Sequence, residues 1–302
     1  MLFTGKGGVG KTTVVAALAV HAASQGLHPL VVELGHRQSM RSVFGVDEIG
    51  PTPRDVGEGV HALSIDFDQA VLDYMVEHLP SKRLASAVVS NRVLERLFAA
   101  MPAVGEIATL SKLRALEGAR AGGEPKWGPI FVDLDATGHA LMFLELRAVL
   151  EGLIGSGPML RLIESTADMF ADPKTTRLDL VVTPEELPVT ETIELYQRLS
   201  GAGTVAFGRV VVNRSPACRV EADASTLDAI ERAARAVGEL EVARDVAWAR
   251  RELGDEARAR QQIDRLRRHV PLPVLELPRL ATDRMRVEDL RLLGARAAGG
   301  AS

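Results

Sequence analysis

The apolar positions of the chain fall into short runs that alternate with longer stretches of helical periodicity. Most runs are continuous in Val, Ile and Leu rather than alternating with polar residues, as is typical of strands buried on both faces. Strands that are separated by helices favour a mostly parallel, doubly wound α/β sheet flanked by helices. The predicted strands cover residues 1–4, 30–32, 60–65, 129–132, 178–182, 210–212 and 272–277.

Longer helical segments interrupt this alternation of strands and helices. Residues about 68–120 and about 140–170 have amphipathic periodicity, which predicts a helical subdomain that forms a layer at one edge of the sheet. Residues about 221–268 are rich in Ala, Arg and Glu, which predicts a helical insertion folded as a hairpin with a solvated charged face. No internal repeat is visible, and residues 1–302 are predicted to form a single domain.

A glycine-rich sequence follows the first predicted strand directly. It fits the pattern G-x-x-x-x-G-K-[ST] between a strand and a helix, where inward-pointing amides and the helix dipole bind phosphate. The pattern predicts a P-loop for ATP, in which Lys11 neutralises the β- and γ-phosphates, Thr12 coordinates Mg²⁺ and Thr13 contacts the α-phosphate. The predicted nucleotide-contacting residues of the loop are Gly5, Lys6, Gly7, Gly8, Val9, Gly10, Lys11, Thr12 and Thr13.

Polar residues also follow other predicted strands. Asp133 ends the apolar run 130–132, and a carboxylate in that position beside a P-loop can bind Mg²⁺ through water. Asn213 follows the run 210–212, and its amide can both donate to and accept from adenine. Pro278 follows the last run, and the loop 278–283 is predicted to cover the base.

The P-loop and the segment after Asp133 resemble those of the ArsA-type ATPases, which include the arsenical pump ATPase and the tail-anchored-protein targeting ATPase. Lys6, directly after the first glycine, is the extra lysine of the deviant Walker A loop, which partition and septum-site ATPases share. Asp133, Thr137, Gly138 and His139 match the family's D-T-A-P-T-G-H segment. The resemblance covers most of residues 1–215 and 270–293.

This resemblance implies an ATP-sandwich dimer in which Lys6 reaches the partner's nucleotide, and a segment at Thr137 and Gly138 that senses the γ-phosphate. It places Asn213 against adenine, and Glu191 at the sheet edge or the dimer interface. The predicted catalytic residues are accordingly Lys6, Lys11 and Asp133, and the predicted Mg²⁺ ligands are Thr12 and Asp133.

The chain departs from the family after its second strand. The family's S-T-D-P-A-H segment, whose Asp orients the attacking water, aligns with residues 33–38, and Gly35 stands at the Asp position. Loss of this carboxylate is expected to slow hydrolysis by orders of magnitude while ATP binding is kept. The alternatives that remain for its role are Glu33, Gln38, Asp135 or a residue of a partner chain.

The composition of the chain limits the metal sites that it can form and indicates where in the cell it functions. Cys218 is the single cysteine, so the chain has neither the Cys-x-x-Cys zinc clasp of the targeting ATPases nor a cysteine trio for arsenite. A lone cysteine fits a reducing compartment, and no apolar run reaches the roughly 18 residues of a membrane span. We therefore expect a cytoplasmic protein without an integral membrane segment. The first predicted strand is short, which leaves open a start upstream of Met1.

The leading hypothesis is an ATPase that couples ATP binding and slow hydrolysis to the opening and closing of a dimer. The dimer is a homodimer or a heterodimer with a paralogous ATPase, and it acts on a protein or membrane-pathway client. The alternative is a non-hydrolysing, ATP-dependent scaffold or regulatory subunit that pairs with an active paralogue. A partition-type ATPase acting on DNA or membrane is less favoured. A net charge of −4 does not indicate the basic surface that nucleic-acid binding requires. A P-loop kinase would need a binding site for the substrate that accepts the phosphoryl group, and the sequence shows no motif for such a site.

Overall fold

The computed structural model describes residues 1–35, 39–66, 70, 104–134, 158–216, 222–282 and 285–299. The strands are β1 (Leu2–Thr4), β2 (Leu30–Leu34), β3 (Arg54–Asp55), β4 (His61–Ile65), β5 (Arg120–Ala121), β6 (Glu124–Pro125), β7 (Ile130–Asp133), β8 (Leu178–Val182), β9 (Phe207–Ser215) and β10 (Val274–Pro278). The helices are α1 (Lys11–Ser24), α2 (Ser39–Phe44), α3 (Val104–Gly118), α4 (Pro158–Ala171), α5 (Glu186–Ala202), α6 (Ala224–Val237), α7 (Leu240–His269) and α8 (Val287–Gly299).

The fold is built on an eight-stranded sheet with the order β10-β9-β8-β1-β7-β2-β4-β3. All neighbouring strands of this sheet run parallel except β3, which pairs antiparallel with β4. The prediction of a mostly parallel α/β sheet is therefore confirmed. Because β1 lies between β7 and β8, the chain leaves β1 at the centre of the sheet's carboxyl edge, where ligands bind in open α/β folds.

Both faces of the sheet are covered by helices, as the continuous apolar strands require. One apolar cluster joins α1 and α8 to the side chains of Phe3, Val31 and Phe131. The opposite cluster joins α3, α5 and α7 to Leu30, Val32 and other strand residues. Successive side chains of the central strands alternate between the two clusters, as Leu30, Val31 and Val32 of β2 do. The face that carries α1 is also the face on which the candidate site is built.

Some elements differ from the sequence-based expectation. β9 continues beyond Val212 to Ser215, so Asn213 lies inside the strand, and Pro278 is the last residue of β10 rather than the first residue after it. The strands β3, β5 and β6 were not anticipated. Each has two residues, and all of these residues are exposed, so they leave no apolar run in the sequence.

The predicted helical segments are described only in part. Residues 224–237 and 240–269, in the predicted insertion, form α6 and α7, which pack on each other through Leu227, Val246 and Ala249. Of the segments about 68–120 and about 140–170, the structure describes mainly α3 and α4, and residues 71–103 and 135–157 lie outside the described residues. No helix within the described ranges has the length and apolar character needed to cross a membrane.

Candidate functional site

The glycine-rich loop connects β1 to α1 and lies at the middle of the sheet. Gly8 and Gly10 have φ values of 87° each, in the left-handed region that favours glycine. A Cβ added at Gly5 would lie 2.0 Å from the backbone oxygen of Val181 in β8. A Cβ added at Gly10 would lie 2.3 Å from Nδ2 of Asn213. The loop thus needs glycines both for its turn and for its close approach to the strands beside it.

Asn213 holds the loop from the neighbouring strand β9. Its Nδ2 donates a hydrogen bond of 2.8 Å to the carbonyl oxygen of Val9, and only 6% of the residue is exposed. This hydrogen bond holds the carbonyl group of Val9 against strand β9 of the sheet. The sequence predicts a contact of Asn213 with adenine and gives no sign of this contact with Val9. The contact with adenine stays a prediction.

Lys11 and Thr12 begin helix α1 and lie next to the loop. Lys11 is 8% exposed, and its Nζ donates to the carbonyl oxygens of Gly5 at 2.9 Å and Lys6 at 3.3 Å. The Thr12 hydroxyl donates a 2.6 Å hydrogen bond to Oδ2 of Asp133, at the end of β7. The structure therefore brings together the predicted phosphate-binding lysine and the two predicted Mg²⁺ ligands.

A cavity of about 260 Å³ opens beside these side chains. It combines a glycine-rich turn, an ammonium group, hydroxyl groups and carboxylates, and this donor set suits a polyphosphate with Mg²⁺. Mg²⁺ is commonly held by one or two carboxylates together with phosphate oxygens and water, so Thr12 and Asp133 fit this ion. The cavity is lined by Gly8, Gly10, Lys11, Thr12, Glu33, Leu34, Ser39, Asp133 and Leu134.

Glu33 brings a second buried carboxylate to this cavity. It is 3% exposed, and in the register of β2 and β7 it lies directly beside Asp133. Its Oε1 accepts hydrogen bonds from the backbone N–H groups of Ser39 at 2.7 Å and Met40 at 3.2 Å. Glu33 therefore joins the end of β2 to the start of α2. Gly35, two residues further on, has a φ of 94°.

Lys6 forms an ion pair within its own chain. Its Nζ lies 2.9 Å from Oε1 of Glu191 on α5, and the two side chains are 29% and 34% exposed. The sequence does not predict this pairing, because 185 positions separate the two residues in the chain. The ion pair holds the lysine of the loop against the α5 side of the site.

The remaining predicted site residues are distributed around this centre. Gly7 is exposed, and Thr13 is half-buried in the first turn of α1. Pro278 is half-buried at the end of β10. Thr137 and Gly138 lie outside the described residues, as do Gln38 and Asp135, which were alternatives for the missing switch carboxylate.

Comparison with known proteins identifies several relatives of the chain. The ATPase BagA of Mycobacterium tuberculosis is 28% identical over 232 residues, which cover 73% of this chain and 66% of that protein. An arsenical pump-driving ATPase of Acidiphilium multivorum is 30% identical over 241 residues, covering 74% of this chain and 41% of that protein. One from Escherichia coli is 29% identical over 220 residues, covering 67% and 37%. The chain spans less than two thirds of the length of each of these relatives.

The family model for ArsA ATPases, described as an anion-transporting ATPase, matches residues 1–157, which is more than half of the 302 residues. The matched region contains the glycine-rich loop, Lys11, Thr12, Glu33 and Asp133. The resemblance found in the sequence is thereby confirmed at the level of the family, and the family supports an ATP-binding or ATPase function. The chain belongs to the ArsA ATPase family.

Proposed function

We propose that this chain binds ATP with Mg²⁺ and hydrolyses it slowly, as a homodimer or as a heterodimer with a paralogous ATPase. The observation that carries the proposal is the arrangement of Lys11 over the loop carbonyls and of Thr12 against Asp133, at the rim of one cavity. In this arrangement the loop amides and Lys11 hold the phosphates. Thr12 and Asp133 hold the metal ion, directly or through water. Slow turnover is expected because Gly35 leaves no carboxylate at the position from which the family orients the attacking water, so a substitute would have to act from another position.

The cycle of the dimer follows from the difference between ATP and ADP. Only ATP presents a γ-phosphate to Lys11, to the loop amides and to the predicted sensor at Thr137, so the two nucleotides stabilise different states. The opening and closing of the dimer is transmitted to a client. We propose that this client is a protein or a component of a membrane pathway, and that it is bound in the cytoplasm. Arsenite, the cargo implied by the names of the pump-driving relatives, does not suit a chain with Cys218 as its only cysteine.

Nucleotide-dependent assembly tests this function. We expect the mass of the purified protein in solution to correspond to a dimer with ATP and Mg²⁺, and to shift towards the monomer with ADP or without nucleotide. Release of phosphate, measured in the same samples, is expected to be far slower than one turnover per second. A mass that is the same in all three conditions would contradict the cycle, and calorimetry without heat from ATP and Mg²⁺ would contradict the whole proposal.

A non-hydrolysing scaffold is the second candidate, and Gly35 is the observation that favours it. In that case ATP still closes the dimer, but no phosphate is released by the purified chain alone. Phosphate release that appears only after addition of a paralogue with Asp or Glu at the position of Gly35 would support the scaffold. Release by the purified chain alone would exclude it.

The ion pair between Lys6 and Glu191 gives a separate test of the dimer. If Lys6 must leave Glu191 to reach the nucleotide of the partner, two variants that break the same ion pair have opposite effects. We expect Lys6→Ala to weaken dimerisation with ATP and Mg²⁺ about tenfold, because a charge-assisted contact is lost. We expect Glu191→Ala to strengthen dimerisation by up to about fivefold, since a partly exposed ion pair contributes at most about 1 kcal/mol.

Sedimentation at a series of protein concentrations measures both dissociation constants. ATP binding by the monomer serves as the control, and we expect it to remain similar in both variants and in the unmodified protein. Equal weakening of the dimer by both variants would show that the ion pair itself stabilises the dimer, and that Lys6 does not exchange partners.

A further inference from the structure

The structure offers a replacement for the carboxylate that is missing at Gly35. We propose that Glu33 is a catalytic residue that orients and deprotonates the water attacking the γ-phosphate, an inference that rests on the proposed ATP hydrolysis. The first support comes from the strand. Glu33 belongs to β2 and lies two residues before Gly35, whose backbone N–H donates to Ile65 of β4 at 3.0 Å. A carboxylate is thus present in the regular part of the strand, close to the position where the family carries its aspartate.

The packing of β2 indicates the face of the sheet from which Glu33 projects. Val31 belongs to the apolar cluster of α1, whereas Val32 and Leu34 belong to the opposite cluster. Glu33, placed between them, therefore projects to the α1 face, where α1 begins with Lys11 and Thr12.

The neighbours of Glu33 and Asp133 indicate different roles for these two carboxylates. Among the described residues that line the cavity, Glu33 and Asp133 are the acidic ones, and they lie side by side in the register of β2 and β7. Asp133 accepts the hydrogen bond of the Thr12 hydroxyl, so it belongs to the predicted metal-binding side. Glu33 accepts hydrogen bonds from the start of α2. This position suits a group that acts on water rather than on the metal ion.

Helix α2 fixes the orientation of Glu33. The N–H groups of Ser39 and Met40 both donate to Oε1. Hydrogen bonds to an ionised acceptor are strong and hold it in one orientation, which is what a residue that positions water requires. Ser39 also lines the cavity, so the contact lies at the site itself.

The chemical step is a hydrolysis that needs one base. The oxygen of the water forms a bond to the γ-phosphorus, while the bond from that phosphorus to the β–γ bridging oxygen breaks. ADP leaves with the bonding electron pair. Glu33 accepts a hydrogen bond from the water and takes its proton as the new bond forms, and this proton passes to solvent when phosphate leaves. Proton transfer by a positioned side chain commonly contributes about 10²–10⁴-fold to a rate.

The backbone at Gly35 explains why the carboxylate lies two residues earlier. With a φ of 94°, Gly35 has a conformation that is strained for an aspartate. The turn after β2 therefore does not readily accept the family's residue at this position. Glu33 lies two residues earlier in regular strand geometry, and its side chain is one methylene longer than that of an aspartate.

The variant Glu33→Gln tests the inference with little change in shape. Its amide oxygen can still accept from Ser39 and Met40, so the start of α2 is retained while the base is lost. We expect the affinity for ATP and Mg²⁺, measured by calorimetry, to stay within about threefold, which is less than 1 kcal/mol. We expect single-turnover phosphate release to fall about 100-fold. Glu288→Gln, which removes an exposed carboxylate on α8, is the matched control and should keep the original rate.

A second measurement does not depend on turnover. ADP with aluminium fluoride imitates the phosphoryl group during attack by water, so its binding requires the group that orients the water. We expect Glu33→Gln to bind this complex about tenfold or more weakly than the unmodified protein, with unchanged affinity for ADP alone. A purely structural role for Glu33 would change both affinities together or neither.

The outcomes distinguish this inference from the proposed function. If Glu33→Gln releases phosphate as fast as the unmodified protein, Glu33 is not the base, while the proposed ATPase stands. If the unmodified protein binds ATP but does not turn it over, the inference is overturned and the scaffold remains. If neither protein binds ATP, both the inference and the proposed function are wrong.

Discussion

Replacing Lys11 with alanine is expected to lower the affinity for ATP about 100-fold or more, because the loss of a buried charged partner costs about 2–5 kcal/mol. Lys11 is 8% exposed, and its ammonium group is held above the loop by the carbonyl oxygens of Gly5 and Lys6. Its position is thus set before the nucleotide arrives. Little of the binding free energy is then spent on ordering the side chain.

Calorimetry with ATP and Mg²⁺ measures this loss, and thermal unfolding shows whether the variant is folded. Lys174→Ala removes the same charge from an exposed position and should bind ATP as the unmodified protein does. We expect the unfolding temperature of Lys11→Ala to change little, because its carbonyl contacts lie within the loop and not between layers of the core. An affinity within threefold of the unmodified protein would show that the phosphates bind elsewhere.

The central strands of the sheet were readily predicted because they are buried on both faces and therefore leave mostly apolar runs. Residues 178–182, for example, are all buried, the charged Asp179 included, and the predicted and observed strands coincide. The strand β9 was predicted too short, since Asn213 and Arg214 interrupt its apolar run although its pairing with β10 continues. Polar residues near a functional site make the end of a strand hard to recognise in the sequence. Their side chains are selected for contacts at the site rather than for burial, so they do not follow the apolar pattern of the strand.

The candidate site was predictable where its chemistry is local. The loop and Thr12 lie within one short segment, and Asp133 follows a clear strand, so the neighbouring carboxyl ends of β1 and β7 bring them together. Contacts between distant segments left no such signal. Asn213 binds Val9 across 204 positions, and Lys6 binds Glu191 across 185 positions. The proposal for Glu33 likewise depends on strand register and on the contact with α2.

The strongest effect on stability in the loop is expected at Gly5. Its added Cβ would meet the backbone oxygen of Val181 at 2.0 Å, and no change of rotamer can move a backbone atom in a central strand. Relief requires β1 and β8 to separate, although these strands pair from Leu2 to Thr4. We expect Gly5→Ala to lower the free energy of unfolding by about 3 kcal/mol or more, as overpacking of a rigid core does. Denaturation by urea in the absence of nucleotide measures this change.

Gly8→Ala is the matched comparison, because it adds the same methyl group in the same loop. The added Cβ meets nothing within 4 Å, so the cost is that of a left-handed backbone with φ at 87°. This cost is about 1–2 kcal/mol, less than that at Gly5. Gly8 also lines the cavity, so the methyl group enters the space proposed for phosphate. Gly8→Ala should therefore reduce ATP binding more than its small loss of stability predicts.

The two variants separate the two reasons for which a phosphate loop contains glycine. At Gly5 the side chain is excluded by the protein itself, so the penalty is present whether or not ATP is added. At Gly8 the side chain is excluded by the ligand, so most of the penalty appears only on binding. If Gly8→Ala binds ATP normally, the phosphates do not occupy the space above Gly8. If Gly5→Ala is as stable as the unmodified protein, β1 and β8 are less tightly joined than the 2.0 Å approach requires.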